Sequence, residues 1–190
     1  VNIAADVAND SATNGNTAAR EFSTRYDTTK PRLTITSSVA NPTNTAFTTT
    51  FTFSEEVKNF EIGDITLDNA EASFFKQISD QAYTALITPA TDGTVKVDVK
   101  VNVAEDLATN VNTAAKPFST LYDATKPTVT IISLGANPTN STFRTIFNFS
   151  ENVEGFEIGD ITLDNAEASF FKQINGQAYT ALITPATDGT

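Results

Sequence analysis

This sequence repeats itself, and that limits its folds more than any other feature. Phe60–Asn69 (FEIGDITLDN) returns at Phe156–Asn165, an offset of 96 residues. Between Phe60–Thr94 and Phe156–Thr190 only Ser79 and Asp80 change, to Asn175 and Gly176. The same offset carries Asp10 to Asp106, Tyr26 to Tyr122, Pro31 to Pro127 and Phe53 to Phe149. A chain that returns in register without insertion folds as copies of one domain type, each burying its own core. The phase of the repeat is as informative as its length. If Asp27–Pro31 and Asp123–Pro127 are linkers, residues 28–123 form one complete domain. Residues 1–27 are then the C-terminal strands of one repeat, and 124–190 the N-terminal strands of the next. Two arrangements follow. Either the units belong to a tandem array, or residues 1–27 complete 124–190 of a neighbouring chain by strand addition. Both make a fibre of neighbouring identical repeats or subunits.

Within a unit the pattern is that of strands. Leu33 and Ile35 alternate with Thr over 32–37, and Phe47, Phe51 and Phe53 do so over 46–54. Ile65 and Leu67 mark a third strand, Ala72 to Ile78 a fourth, and Tyr83, Ala85 and Ile87 a fifth. Val95, Val97, Val99, Val101 and Val103 alternate with polar residues, predicting one long sixth strand with a buried and a wet face. Ala114 to Tyr122 supplies a seventh. Asn-Pro, Asp-Gly and Asn-rich stretches separate them as turns. Seven short strands without a helix-period segment predict an all-β, immunoglobulin-like sandwich in tandem repeats of 96 residues. With no Cys pair and no Trp, its core must be built from Phe, Val and Ile.

Absences narrow the chemistry. There is no His and no Cys, so a triad base, an imidazole or thiolate metal ligand and a disulfide are all ruled out. Ser and Thr therefore lack a base, and the paired carboxylates lie on loops without a pocket-forming insertion. The chain is expected not to be an enzyme. Twelve basic against 23 acidic residues leave a net charge of −11, which argues against nucleic acid and anionic membranes as partners. No apolar run approaches the roughly 20 residues that span a bilayer. The absence of Met carries the expectation that the sequence is a segment of a longer polypeptide.

Several motifs in fixed order carry a resemblance. Tyr26–Pro31 (YDTTKP), Phe53–Val57 (FSEEV), Gly63–Thr66 (GDIT) and Thr88–Thr94 (TPATDGT) resemble bacterial Ig-like domain repeats. Such repeats belong to large surface adhesins and biofilm-associated proteins. The resemblance covers the whole chain and implies surface display, an extender role and, in many relatives, calcium at domain junctions.

The strand order adds its own argument. The loop after the second strand, the loop after the sixth and the entering linker all lie at one pole of the sandwich. They bring Glu55, Asp64, Asp106 and Asp27 together, with Asn110 and Asn112 nearby. The offset assigns Asp123, Glu151, Asp160 and the complementing Asp10 to a second junction. Clustered carboxylates repel unless a cation or a hydrogen-bond donor neutralises them, the alternative being solvated loop acids with Glu55 or Asp64 capping turn amides. Ca2+, which takes six to eight oxygen ligands in flexible geometry, is the expected structural ion; Mg2+ demands stricter octahedral coordination.

Phe74-Phe75 and Phe170-Phe171 stand apart. Adjacent strand residues point to opposite faces, so one ring of each pair is exposed and free for lateral contacts unless the strand is irregular. The expectation is an irregular fourth strand that buries both. The whole describes an extracellular, cell-surface extender in an adhesin or filament, stiffened by Ca2+. Two alternatives stay open: a filament subunit joined head to tail through residues 1–27, and a module that binds carbohydrate or an unknown host or matrix protein.

Overall fold

The computed structural model describes residues 1–189. It divides into two compact units, Val1–Ala124 and Thr125–Thr190. In the first, alternating Thr and apolar residues produce the expected strands. β1 (Leu33–Thr36), β2 (Phe47–Phe53), β4 (Ala70–Ser79) and β5 (Ala82–Pro89) form one antiparallel sheet in the order β1-β2-β5-β4. β3 (Ile65–Asp68), β6 (Gly93–Val99) and β7 (Phe118–Tyr122) form the other, in the order β3-β6-β7. Along β2 the Thr residues between Phe47, Phe51 and Phe53 keep one face wet while the rings turn inward.

The apolar faces of the two sheets meet in a single core. Phe51, Ile87 and Val95 are fully buried, with Val97 and Val99 beside them. Phe47 of the first sheet and Phe118 of the second lie 6.0 Å apart between ring centres. The ring of Phe60, from the loop after β2, is the hub: its centre is 5.6 Å from Phe51, 5.2 Å from Phe53, 5.5 Å from Phe75 and 5.1 Å from Tyr83. This is the immunoglobulin-like sandwich that the strand pattern predicts.

Three expectations need correction. The sixth strand ends at Val99 and does not run to Val103, although the alternation continues. Asn102 takes a left-handed φ of 62°, which turns the chain into a loop and leaves Val101 exposed. The seventh strand begins at Phe118, directly after Pro117, and not at Ala114; proline has no N–H to extend the ladder. The fourth strand is irregular, yet it packs one ring of its Phe pair, half-buried, against the core and leaves the other exposed. One extra residue lies between the pairs Ser73↔Leu86 and Lys76↔Thr84, a β-bulge at which Phe74 has φ 49°. Phe75 stacks on Tyr83 at 5.6 Å, whereas Phe74 is 83% exposed. The second unit reproduces this at Phe170 (φ 47°) and Phe171.

That second unit contains β8 (Val129–Ser133), β9 (Phe143–Phe149), β10 (Ala166–Asn175) and β11 (Ala178–Pro185) in one sheet, ordered β10-β11-β9-β8. It repeats the first sheet of the complete sandwich strand for strand. Phe147, Tyr179, Ala181 and Ile183 form its core, and Phe156 occupies the hub position. Residues 161–164 have the same sequence as β3 but form no strand.

Because Phe60 touches four rings, its removal leaves a cavity that the rigid strands around it are unable to close. Phe60→Ala is expected to lower the stability of the first unit by about 3–5 kcal/mol. Denaturant unfolding followed by Tyr fluorescence measures this, since the chain has no Trp.

Candidate functional site

One loop organises the acidic pole of the first unit. Between β6 and β7 the sequence Asp106-Leu107-Ala108-Thr109-Asn110 closes on its own aspartate. One oxygen, Asp106 Oδ1, accepts the backbone N–H of Ala108 and of Asn110, each at 2.8 Å. The other, Oδ2, accepts Asn110 Nδ2 at 2.9 Å. Asp and Asn favour such side chain-to-backbone closures, which set a turn without a strand partner. Asn112, fully buried, fixes the rest. Its Oδ1 accepts the N–H groups of Val103 and Ala104, and its Nδ2 donates to the carbonyls of Lys100 and Thr113. Asn112 is thereby consumed by the backbone and has no oxygen left for a ligand.

This loop presents Asp106 to two other carboxylates. Asp27 lies in the segment entering β1, where its Oδ1 accepts Thr29 N–H at 3.0 Å. Asn110 ties that segment to the loop by donating to the Asp27 carbonyl at 3.1 Å. Glu55 follows the end of β2. Carboxylate oxygens of Asp27, Glu55 and Asp106 all lie within 4.8 Å of one another. Asp106 is buried and the other two are half-buried.

The electrostatics of the three differ. Burial is the main cause that pushes the Glu55 carboxyl above its ordinary range, and the charges of Asp106 and Asp27 add to it. The Asn110 side chain chiefly holds Asp106 below its ordinary value, helped by the two backbone donors. A nearby cation, Arg25, reaches Asp27 Oδ2 at 2.9 Å, but its side chain is highly exposed. The group is a set of hard oxygen donors with more negative charge than its surroundings balance. Donors of this kind fit a Ca2+ ion.

With the fold and this geometry in view, comparison with known proteins is direct. The family model for the bacterial Ig-like domain matches residues 27–121 and again 123–190. The chain belongs to the bacterial Ig-like domain family. Comparison with curated proteins gives no match. Family members are generally non-catalytic structural modules of extracellular and surface proteins, which makes this chain a surface-protein extender module. Among the described residues no helix is long and apolar enough to cross a membrane.

The remaining site candidates of this Ig-like chain have their own local settings. Asp64 closes a short 3-10 turn, accepting Glu61 N–H at 2.8 Å, and Asp160 does the same for Glu157. Asp10 sits in an exposed turn with Asn14, the counterpart of the Asp106 turn. Asp123 belongs to the first unit, where its N–H donates to the Thr43 carbonyl, and Glu151 is half-buried in the second. Among the described residues no other three carboxylates come this close. Sequence reasoning missed Arg25. Its signal was its place two residues before Asp27 in an extended stretch, which puts both side chains on one side.

The raised carboxyl of Glu55 has a definite pH signature. In the folded state it takes up a proton at higher pH than in the unfolded chain, so ionised Glu55 opposes folding above its ordinary value of 4.5. That cost is relieved as pH falls through the window just above 4.5. Asp106 acts oppositely, losing its contribution only as pH falls below 3.8. With chelator present, Glu55→Gln should therefore stabilise the first unit at neutral pH by roughly 0.5 kcal/mol and flatten its stability profile above pH 4.5. Thermal melts across that range provide the measurement.

Proposed function

We propose that this chain is a run of extender domains in a bacterial surface adhesin or filament, displayed outside the cell and stiffened by Ca2+. The observation that carries the reading is the meeting of Asp27 with Glu55 and Asp106. Asp27 belongs to the entering segment, while Glu55 and Asp106 belong to loops of the domain body. An ion held by all three fastens the segment to the domain and restricts rotation where the chain enters the sandwich. A string of hinged domains then becomes a rod, the property an extender requires. The donor set supports Ca2+ over Mg2+, because carboxylates from three separate segments suit an ion that accepts flexible geometry better than one that demands a strict octahedron. Asp106 offers its Oδ2 face, since Oδ1 already holds two backbone donors.

Arg25 acts as a built-in competitor, occupying the Asp27 carboxylate when no ion is bound. The corresponding residue one repeat later is Leu121, so this counter-charge belongs to one copy only.

Thermal unfolding at about 1 mM Ca2+ should exceed that in chelator by about 5 °C, as for a site near saturation in a domain of this size. Glu55→Gln combined with Asp106→Asn should abolish the difference. Superimposable melts of the unaltered chain with calcium and with chelator would sink the reading. Freeing Asp27 by Arg25→Leu should tighten calcium binding roughly fivefold, the equivalent of an exposed ion pair, as read by calorimetry.

A further inference from the structure

We propose that Asn175 is a site of spontaneous covalent modification, losing its side-chain amide in the folded chain through attack by the Gly176 backbone nitrogen. This goes beyond the calcium reading and stands independently of it.

Between the matched runs Phe60–Thr94 and Phe156–Thr190, the only changes are Ser79 to Asn175 and Asp80 to Gly176. Both fall at the tip of one hairpin, closed by Ser79 opposite Ala82 in the first unit and Asn175 opposite Ala178 in the second. The tip is anchored alike in both. Val57 N–H donates to the Asp80 carbonyl at 3.1 Å, and Val153 N–H to the Gly176 carbonyl at 3.0 Å. The Asn175 hairpin therefore has the setting it has in the complete sandwich, and only its chemistry differs.

That chemistry favours ring closure. Glycine has no Cβ to crowd an attacking nitrogen. Asn175 is exposed to water, and its Oδ1 accepts Gln177 N–H at 2.9 Å. This bond folds the side chain back over the turn, toward the Gly176 amide, and places a donor on the oxygen where charge develops. Among the described residues the Gly176 N–H has no acceptor, so no hydrogen bond must break before its nitrogen attacks.

The reaction needs only the chain and water. The Gly176 nitrogen bonds to Asn175 Cγ and gives up its proton to solvent, while Nδ2 takes a proton and leaves as ammonia. Water then opens the resulting cyclic imide at either carbonyl, giving aspartate or isoaspartate. Each product adds a negative charge. The isoaspartate also routes the main chain through Cβ, which breaks the Asn175–Ala178 pair closing the hairpin.

A second Asn-Gly, Asn14-Gly15, is also exposed but is tethered. Asn14 Nδ2 donates to Asp10 Oδ2 at 3.0 Å, and Asn14 N–H to Asp10 Oδ1 at 2.9 Å. Its leaving group is thus held on a carboxylate, and the product would set a second negative charge against that carboxylate. Breaking a charge-assisted hydrogen bond on the way to the transition state slows the reaction by about tenfold or more.

Incubation of the full chain at mildly alkaline pH, followed by peptide mapping with mass spectrometry, tests this. In the folded chain Asn175 should convert to aspartate and isoaspartate about tenfold faster than Asn14. In denaturant, where the tether is gone, the two should convert at similar rates. Asn175→Ser should remove the product at this position and keep the turn, because Ser79 Oγ accepts Gln81 N–H at 3.3 Å in the first unit. An Asn175 that stays unmodified in the folded chain would overturn the proposal. So would equal rates at the two sites in the folded chain.

Discussion

A β-sheet with one apolar face gains most of its stability from a second layer that covers that face, and in the first unit the layer is built on the ribbon of β6 and β7. Its effect is visible on identical residues. Ile-Thr-Leu-Asp forms β3 at 65–68, where Val97 and Val99 lie alongside, and no strand at 161–164. Strand propensity is the same in both places, so the neighbour decides. The rest of the first unit follows from that layer. Val95, Val97 and Val99 bury completely, β1 gains a cover for Leu33 and Ile35, and the Phe60 cluster closes.

The ribbon also builds the acidic pole. Its connecting loop needs no sandwich around it, because Asp106 and Asn112 hold the turn through their side chains, as Asp10 and Asn16 do in an exposed setting. The residue that shapes the loop is therefore the residue that faces Asp27 and Glu55. The three donors that hold Asp106 ionised keep negative charge at the pole, and that charge helps push Glu55 upward. Turn and cluster are coupled through one carboxylate, so loosening the Asp106 turn also loosens the approach of the three acidic groups.

Much of this was legible in the residues, and the failures share a cause. Period-two alternation marked the strands because it is a local consequence of the pleat. The end of β6 was not legible, since Val101 and Val103 keep alternating after the ladder stops; Asn102 and the end of the partner strand set the limit. Phe60 carries no periodic signal at all, lying in a loop, yet it joins four rings of the core. The approach of Asp27, Glu55 and Asp106 followed from strand order, which delivers two loops and the entering segment to one pole. Asp64 shared that topology but is bound three residues away, to Glu61 N–H, and a bond so local outweighs the pole's long-range geometry.

Near-identical β domains in one chain face a hazard that the β4 bulge answers. β4 is an edge strand of its sheet, and an unpaired edge of matching sequence invites pairing with its own copies. The extra residue at Phe74 breaks the register between Ser73 and Lys76, so a second strand is unable to run along the whole edge. A positive φ on a bulky residue costs about 1–3 kcal/mol and persists only where surrounding packing enforces it, here through Phe75 stacked on Tyr83. The same device recurs at Phe170 in the second unit. Edge-to-edge pairing is thus discouraged at β4 and at β10.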